Sequence, residues 1–139
     1  MNAGASSGYS VNNGFQLYYS AGTQSWAFGR HSTDTTAAAW RAVYGSKATA
    51  SQWTHLLGVY DAGAKEIRLY VNGRLTGTRD WTYTPWNATG PLEIGRKQSS
   101  GAYGEYTNGA ISGIRVYPTA LPPADAASAG DTPKVTQLD

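Results

Sequence analysis

Asn72-Gly73, set between two runs of alternating apolar residues, constrains this chain more than any other feature. A two-residue hairpin turn of type I′ needs positive φ at both central positions, and Asn followed by Gly meets that demand at least cost. Upstream, Ile67, Leu69 and Val71 share one face of a strand over Ile67–Val71, and Arg74–Thr78 returns as its partner. Gln52–Tyr60 reads as a further strand, joined to Ile67–Val71 through the hairpin loop Asp61-Ala62-Gly63-Ala64-Lys65.

Period-two patterning recurs on both sides of this meander. Over Gly14–Ser20, Phe15, Leu17 and Tyr19 share one face, and Gln16, Tyr18 and Ser20 the other. The turn Ser20-Ala21-Gly22-Thr23 leads to Ser25–Gly29, where Trp26 and Phe28 point the same way. Trp40–Tyr44 is a third strand, and a helical turn competes at Ala37–Ala39 just before it. Leu92–Gly95 and Ile111–Tyr117 read as strands too, the second with a bulge near Gly113 to bring Ile111 into phase with Ile114 and Val116. Residues 1–13 are rich in Gly, Ser and Asn and read as a flexible lead-in. A short helical turn is expected from Pro123, and residues 126–139 read as a linker or tail. Roughly eight or nine short strands with almost no helix predict an antiparallel sandwich. The 139 residues suit one domain. With no Cys, its core must hold without disulfides.

Several functions are disfavoured. A net charge of +2, carried by scattered basic residues, argues against nucleic acid as a partner. No stretch approaches the roughly 20 apolar residues of a membrane span, so membrane insertion is not expected. The start, MNAGASSGYS, has neither the basic residue nor the apolar run of a signal peptide, so export would depend on a longer parent chain. Gly4-Ala5-Ser6-Ser7-Gly8 formally matches a nucleophile elbow, but that device needs a strand before its Ser and a helix after it. His31 and His55 are isolated, which excludes zinc spacing, and His55 inside a strand reads as structural. No two acids are spaced by two along a strand, as a carboxylate pair on one strand would require. A pair across strands, such as Glu93 with Glu105, is the remaining arrangement. The chain is therefore read as no enzyme.

Four segments together carry a family resemblance. They are W-T-H-L-L-G-V-Y-D from Trp53 to Asp61, I-R-L-Y-V-N-G from Ile67 to Gly73, G-P-L-E-I-G-R from Gly90 to Arg96, and G-A-I-S-G-I-R-V-Y from Gly109 to Tyr117. In this order and spacing, with Leu121 following, the chain resembles the laminin-G-like jelly rolls of the concanavalin A-like lectin/glucanase superfamily. The resemblance implies an all-β, antiparallel two-sheet jelly-roll sandwich over residues 14–125. It also implies a bacterial, secreted or cell-surface setting within a longer exported protein. Two departures stand out. The family's opening strands, with a Trp-containing amphipathic segment, have no counterpart before Gly14. An incomplete sandwich would expose strand edges and invite swapping or strand complementation. Ser112 stands where the family commonly has Asp.

The expected function is a non-catalytic carbohydrate-binding or adhesion module whose partner is a polysaccharide or glycan. The alternatives are a protein–protein interaction domain, a structural spacer, or a fragment of a glycoside hydrolase. Asp80–Asn87, D-W-T-Y-T-P-W-N, concentrates the aromatic residues that stack on the C–H faces of sugar rings. Trp81, Tyr83, Trp86 and Asn87 are its candidate ligand contacts, with Tyr103 and Tyr106 on a second loop. Arg79, Arg96 and Gln98 are candidates to bond hydroxyls. For any one ring, packing over the sandwich edge competes with ligand contact. Arg68, Tyr70 and Asn72 read as solvent-facing. Calcium is the one cofactor left open, with Asp34, Asp61, Asp80 and Glu105 as candidate ligands near loops.

Overall fold

The computed structural model describes residues 5–7, 11–99 and 101–130. Its elements are β1 (Ala5–Ser7), β2 (Gln16–Ser20), β3 (Ser25–His31), β4 (Trp40–Lys47), β5 (Leu56–Asp61), β6 (Glu66–Val71), β7 (Arg74–Asp80), β8 (Leu92–Ile94), β9 (Lys97–Ser99), β10 (Ala102–Gly104) and α1 (Pro123–Ser128). A five-stranded sheet in the order β4-β3-β2-β1-β8 lies against a three-stranded sheet, β5-β6-β7, and β9 and β10 form a separate hairpin. Every pairing is antiparallel.

The alternation read from the sequence settles which faces meet. Leu17 pairs with Phe28, and Phe28 with Val43, across β2, β3 and β4. From the opposite sheet Ile67, Leu69 and Val71 meet Phe28 and Val43 in one buried cluster. Burying such side chains is worth about 1.5–3 kcal/mol each, which holds two sheets together without a covalent staple. The Asn72-Gly73 turn has φ of 50° and 75°, the positive pair that type I′ demands. The same Asn72 ties the turn to the chain before β5. Its amide donates to the His55 carbonyl at 2.8 Å, and its Oδ1 accepts from the His55 amide at 2.9 Å. Both bonds use the His55 backbone, and His55 lies just before β5 and not inside the strand read for it.

Several expectations differ from the structure. Residues 1–13 include a strand, because Ala5–Ser7 pair with both β2 and β8. Ser6 and Ser7 thus lie within a strand, not on a sharp turn between strand and helix. Arg68 and Tyr70 are buried, not solvent-facing. α1 and its approach cover that side of the sheet, with Ala126, Ala120 and Leu121 packed on Tyr70 and Val59. Arg68 is held there by Asp61 at 2.9 Å and Glu66 at 3.3 Å. Ile111–Tyr117 is not a strand. Gly113 takes a positive φ of 65°, and Ile114 and Val116 are exposed. Alternation makes a segment suitable for a sheet, but a strand exists only where a neighbouring backbone supplies its hydrogen bonds. The expected helical turn is α1, opening on Pro123. The tail expected from residue 126 starts later, since residues 126–128 belong to α1 and Ala126 is buried in the core; residues 131–139 lie outside the described residues.

Candidate functional site

The aromatic loop after β7 turns mostly inward. Trp81 is 2% exposed and belongs to the main core, packed edge-on against Tyr60 at 6.1 Å and Tyr83 at 5.3 Å. Its faces are covered, so it is a core residue and not a ligand contact. Tyr83 is half-buried against the same cluster, with the Arg41 guanidinium 5.7 Å from its ring centre. Trp86 is half-buried and tied down at both ends. Its indole N–H donates to the His31 carbonyl at 2.7 Å, and its own carbonyl accepts from Arg30 Nη2 at 3.2 Å. Asn87 is exposed. Tyr103 and Tyr106 are also exposed, on and after β10, and the Arg96 guanidinium sits 3.7 Å from the Tyr103 ring centre. What the structure brings together from this set is Trp81 and Tyr83, and it does so inside the sandwich.

The acids are dispersed as well. Asp34 accepts from the Val11 and Asn12 amides at 3.1 and 2.9 Å. Asp61 bonds Arg68 and the Ala64 amide, and Asp80 pairs with Arg41 at 3.1 Å. Glu93 pairs with Arg96 at 2.7 Å, and that guanidinium holds its carboxyl below the usual carboxylate range. Glu105 pairs with Lys97. Each acid of the suggested cross-strand pair thus has its own cation. Among the described residues, no three His, Cys, Asp or Glu side chains cluster as metal ligands would.

A different constellation forms on the outer face of the five-stranded sheet. Alternation that sends Leu17, Phe28 and Val43 inward sends Gln16 and Tyr18 of β2, His31 of β3 and Trp40 of β4 outward, where register sets His31 opposite Trp40. Asn13, just before β2, and Lys97 of β9 complete a pocket of about 170 Å³. That is below the roughly 300–1,000 Å³ of a drug-sized site. It accommodates one small ring, or the end of a chain, at a time.

Each wall has a sequence cause. Gly29 pairs with Ala42, and the Trp40 ring lies over it, where a Cβ at residue 29 would collide with the indole. Gly29 is therefore the residue that lets Trp40 settle on the sheet. His31 stacks at 4.6 Å from Trp40, and Tyr18 at 6.0 Å. Burial and the neighbouring Tyr44 hydroxyl push the Tyr18 phenol well above its usual pKa, so it remains a neutral group. Burial also lowers the His31 pKa, outweighing the Asn13 carbonyl, which favours the charged form. That carbonyl lies 3.2 Å from His31 Nδ1, and because a carbonyl accepts, Nδ1 carries the proton and Nε2 is left as an acceptor.

The base of the pocket is polar and buried. Asn13 is 1% exposed and Gln16 4%. The Asn13 amide nitrogen donates to Gln16 Oε1 at 3.4 Å, but Asn13 Oδ1 has no hydrogen-bond partner among the described residues. Such a buried acceptor costs about 1–3 kcal/mol while unsatisfied. The site therefore offers an aromatic wall and donors from Lys97 and Gln16, with the buried Asn13 Oδ1 behind them. Sequence patterning missed it because its members lie on four separate segments. The one available signal was the pair Gln16 and Tyr18 on the face opposite Phe15 and Leu17.

Comparison with known proteins follows this geometry. A laminin-G family model, described as the concanavalin A-like lectin/glucanases superfamily, matches residues 2–127. Among solved structures, the chain is similar to an S-layer domain-containing protein from Clostridium thermocellum ATCC 27405, at 16% identity and a TM-score of 0.51. The alignment covers 81% of this chain and 59% of the other, so the chain spans about three-fifths of that protein's length. At that identity the likeness concerns the fold alone. No curated protein matches the chain.

Proposed function

The chain belongs to the concanavalin A-like lectin/glucanase superfamily, and from that premise we propose that it is a non-catalytic carbohydrate-binding module. The pocket under Trp40 takes one sugar ring or the end of a glycan chain. The observation that carries this reading is the pocket itself, with aromatic walls from Trp40, His31 and Tyr18 and a polar base from Asn13, Gln16 and Lys97. The C–H face of a sugar ring stacks on Trp40, and Asn13, by turning its buried Oδ1 toward the ring, accepts from a hydroxyl. Lys97 and Gln16 donate to neighbouring hydroxyls, and His31 Nε2 accepts from one. Trp86, Asn87, Tyr103 and Tyr106 are proposed as rim contacts for further sugars of the chain. The dispersed acids favour binding over hydrolysis, since glycosidases need two carboxylates across the scissile bond. The S-layer domain-containing neighbour accords with a place at the cell surface or in an exported protein.

The test is a glycan array probed with calcium and again with chelator, followed by titration of the best hit. The expected hits survive chelation. Asn13→Ala and Trp40→Ala should each weaken binding at least about tenfold, or ~1.4 kcal/mol. Asn13→Ala also breaks the buried bond to Gln16 Oε1, so a modest loss of stability is expected beside the loss of affinity, and the titration is made under conditions where the variant is fully folded. Undiminished affinity in a folded Trp40→Ala variant would refute the assignment of the site.

A further inference from the structure

The aromatic wall of the sugar pocket continues past the pocket itself. Trp40, Ala42 and Tyr44 alternate onto the outer face of β4, because Val43 between the last two points into the core. Trp40 lines the pocket, whereas Tyr44 lies outside it. Four residues of strand at about 3.3 Å each put the two positions roughly 13 Å apart along β4. That separation is beyond the reach of a single sugar ring. Ala42, between them, carries only a methyl group.

Register also fixes how Tyr44 is held. Tyr18 pairs with Ala27, and Ala27 with Tyr44, so the two tyrosines flank a residue that has no side chain beyond Cβ. They meet across it. The Tyr18 hydroxyl bonds the Tyr44 side chain and accepts from the Trp40 indole, so one phenol ties the row together. Tyr44 is nevertheless 43% exposed, and among the described residues no ring or cation packs on it. A ring open to water on an anchored hydroxyl is the half-wet arrangement on which sugar C–H faces stack. Because the row is ordered in advance, little side-chain freedom is lost on binding.

We propose that Tyr44 is a second stacking subsite and that the ligand is an extended, ribbon-like polysaccharide of the β-1,4-linked kind, lying along β4. One ring of the chain occupies the pocket at Trp40. Another, with at least one ring between them, stacks on Tyr44. The chain must run straight, because both aromatic residues stand on one face of one strand. A coiling chain such as an α-1,4-linked glucan would turn away from Tyr44 after leaving the pocket. This inference rests on the sugar reading of the Trp40 pocket and adds to it the length and shape of the ligand.

The test titrates cello-, xylo- and manno-oligosaccharides of one to five units, with malto-oligosaccharides as the coiling contrast. In at least one β-1,4-linked series, affinity should rise at least about tenfold between two and four units and then level off. Tyr44→Ala should remove that rise and leave the affinity for one or two units unchanged, whereas Trp40→Ala should weaken binding at every length. Tyr44→Phe keeps the ring and loses only the hydroxyl, so it should retain most of the rise. If it behaves as Tyr44→Ala does, Tyr44 acts only by positioning Tyr18, and the proposal falls. If Tyr44→Ala does not fold, the Tyr44 ring-proton resonances of the unaltered protein decide. They should shift with four units and stay in place with one. Affinity that does not grow with length, a rise that survives Tyr44→Ala, or growth confined to the malto series overturns the proposal. When short sugars bind at Trp40 but longer chains bind no better, this extension alone fails. When Trp40→Ala binds every length normally, or nothing binds, the sugar site fails with it.

Discussion

Replacing Gly29 by Ala tests how the pocket is shaped more sharply than removing any of its polar groups. The added Cβ would meet Cη2 of Trp40 at 2.8 Å and the Arg41 carbonyl oxygen at 2.8 Å, both inside van der Waals contact. The carbonyl cannot retreat without loosening the β3–β4 ladder, which runs from Ser25–Lys47 to His31–Trp40. The indole must therefore lift. Overpacking of this kind costs ~1–3 kcal/mol. For a domain between the ~100- and ~200-residue reference sizes, each kcal/mol lowers Tm by roughly 3–5 °C. Gly22, whose Cβ would meet nothing within 4 Å, supplies the control and should leave stability nearly unchanged. Calorimetry reads the stability, and sugar titration reads the site, where a displaced stacking face should cost at least about tenfold in affinity. In a double-mutant cycle, Trp40→Ala should absorb the indole's share of the stability cost of Gly29→Ala, while the contact with the Arg41 carbonyl remains. Wild-type stability and affinity in Gly29→Ala, or strictly additive losses in the cycle, would refute the placement of Trp40 over Gly29.

Trp81→Ala should cost ~3–5 kcal/mol in urea unfolding, the usual penalty for emptying a buried aromatic site, whereas Trp86→Ala, half-buried and held by one indole hydrogen bond, should cost clearly less. Similar small losses from both would place Trp81 at the surface. His31 makes stability depend on pH. Its folded pKa lies below the ordinary ~6.5, so the unfolded chain takes up the proton first. Stability should be complete above about pH 6.5, fall as the pH drops through that value, and level off below the folded pKa. Urea midpoints between pH 8 and pH 5 should flatten in His31→Asn, and an unchanged slope would show that His31 titrates as it does in the unfolded chain.

Local physics made much of this protein legible from residues alone. The Asn72-Gly73 turn, the strand alternation from Phe15 to Val71 and the Pro123 helix each depend on a few neighbouring residues, and each folds as its pattern demands. The outward polar row of Gln16 and Tyr18 was legible as a face, though nothing along the chain said what would stand beside it. Register decided that. Setting His31 opposite Trp40, and Gly29 beneath its indole, brings residues from β2, β3, β4 and β9 around one pocket. Partners likewise decided the fate of ambiguous segments. Trp81 and Trp86 share a loop and a chemistry, yet one fills the core and the other caps the end of β3, because only the first meets Tyr60 and Tyr83. Ile111–Tyr117 carries a strand's alternation but pairs with no strand among the described residues. Sequence thus determined which residues are apolar, which turns close and which faces alternate. Tertiary structure alone decided which faces are covered, since burial is a property of two surfaces and a sequence pattern describes one.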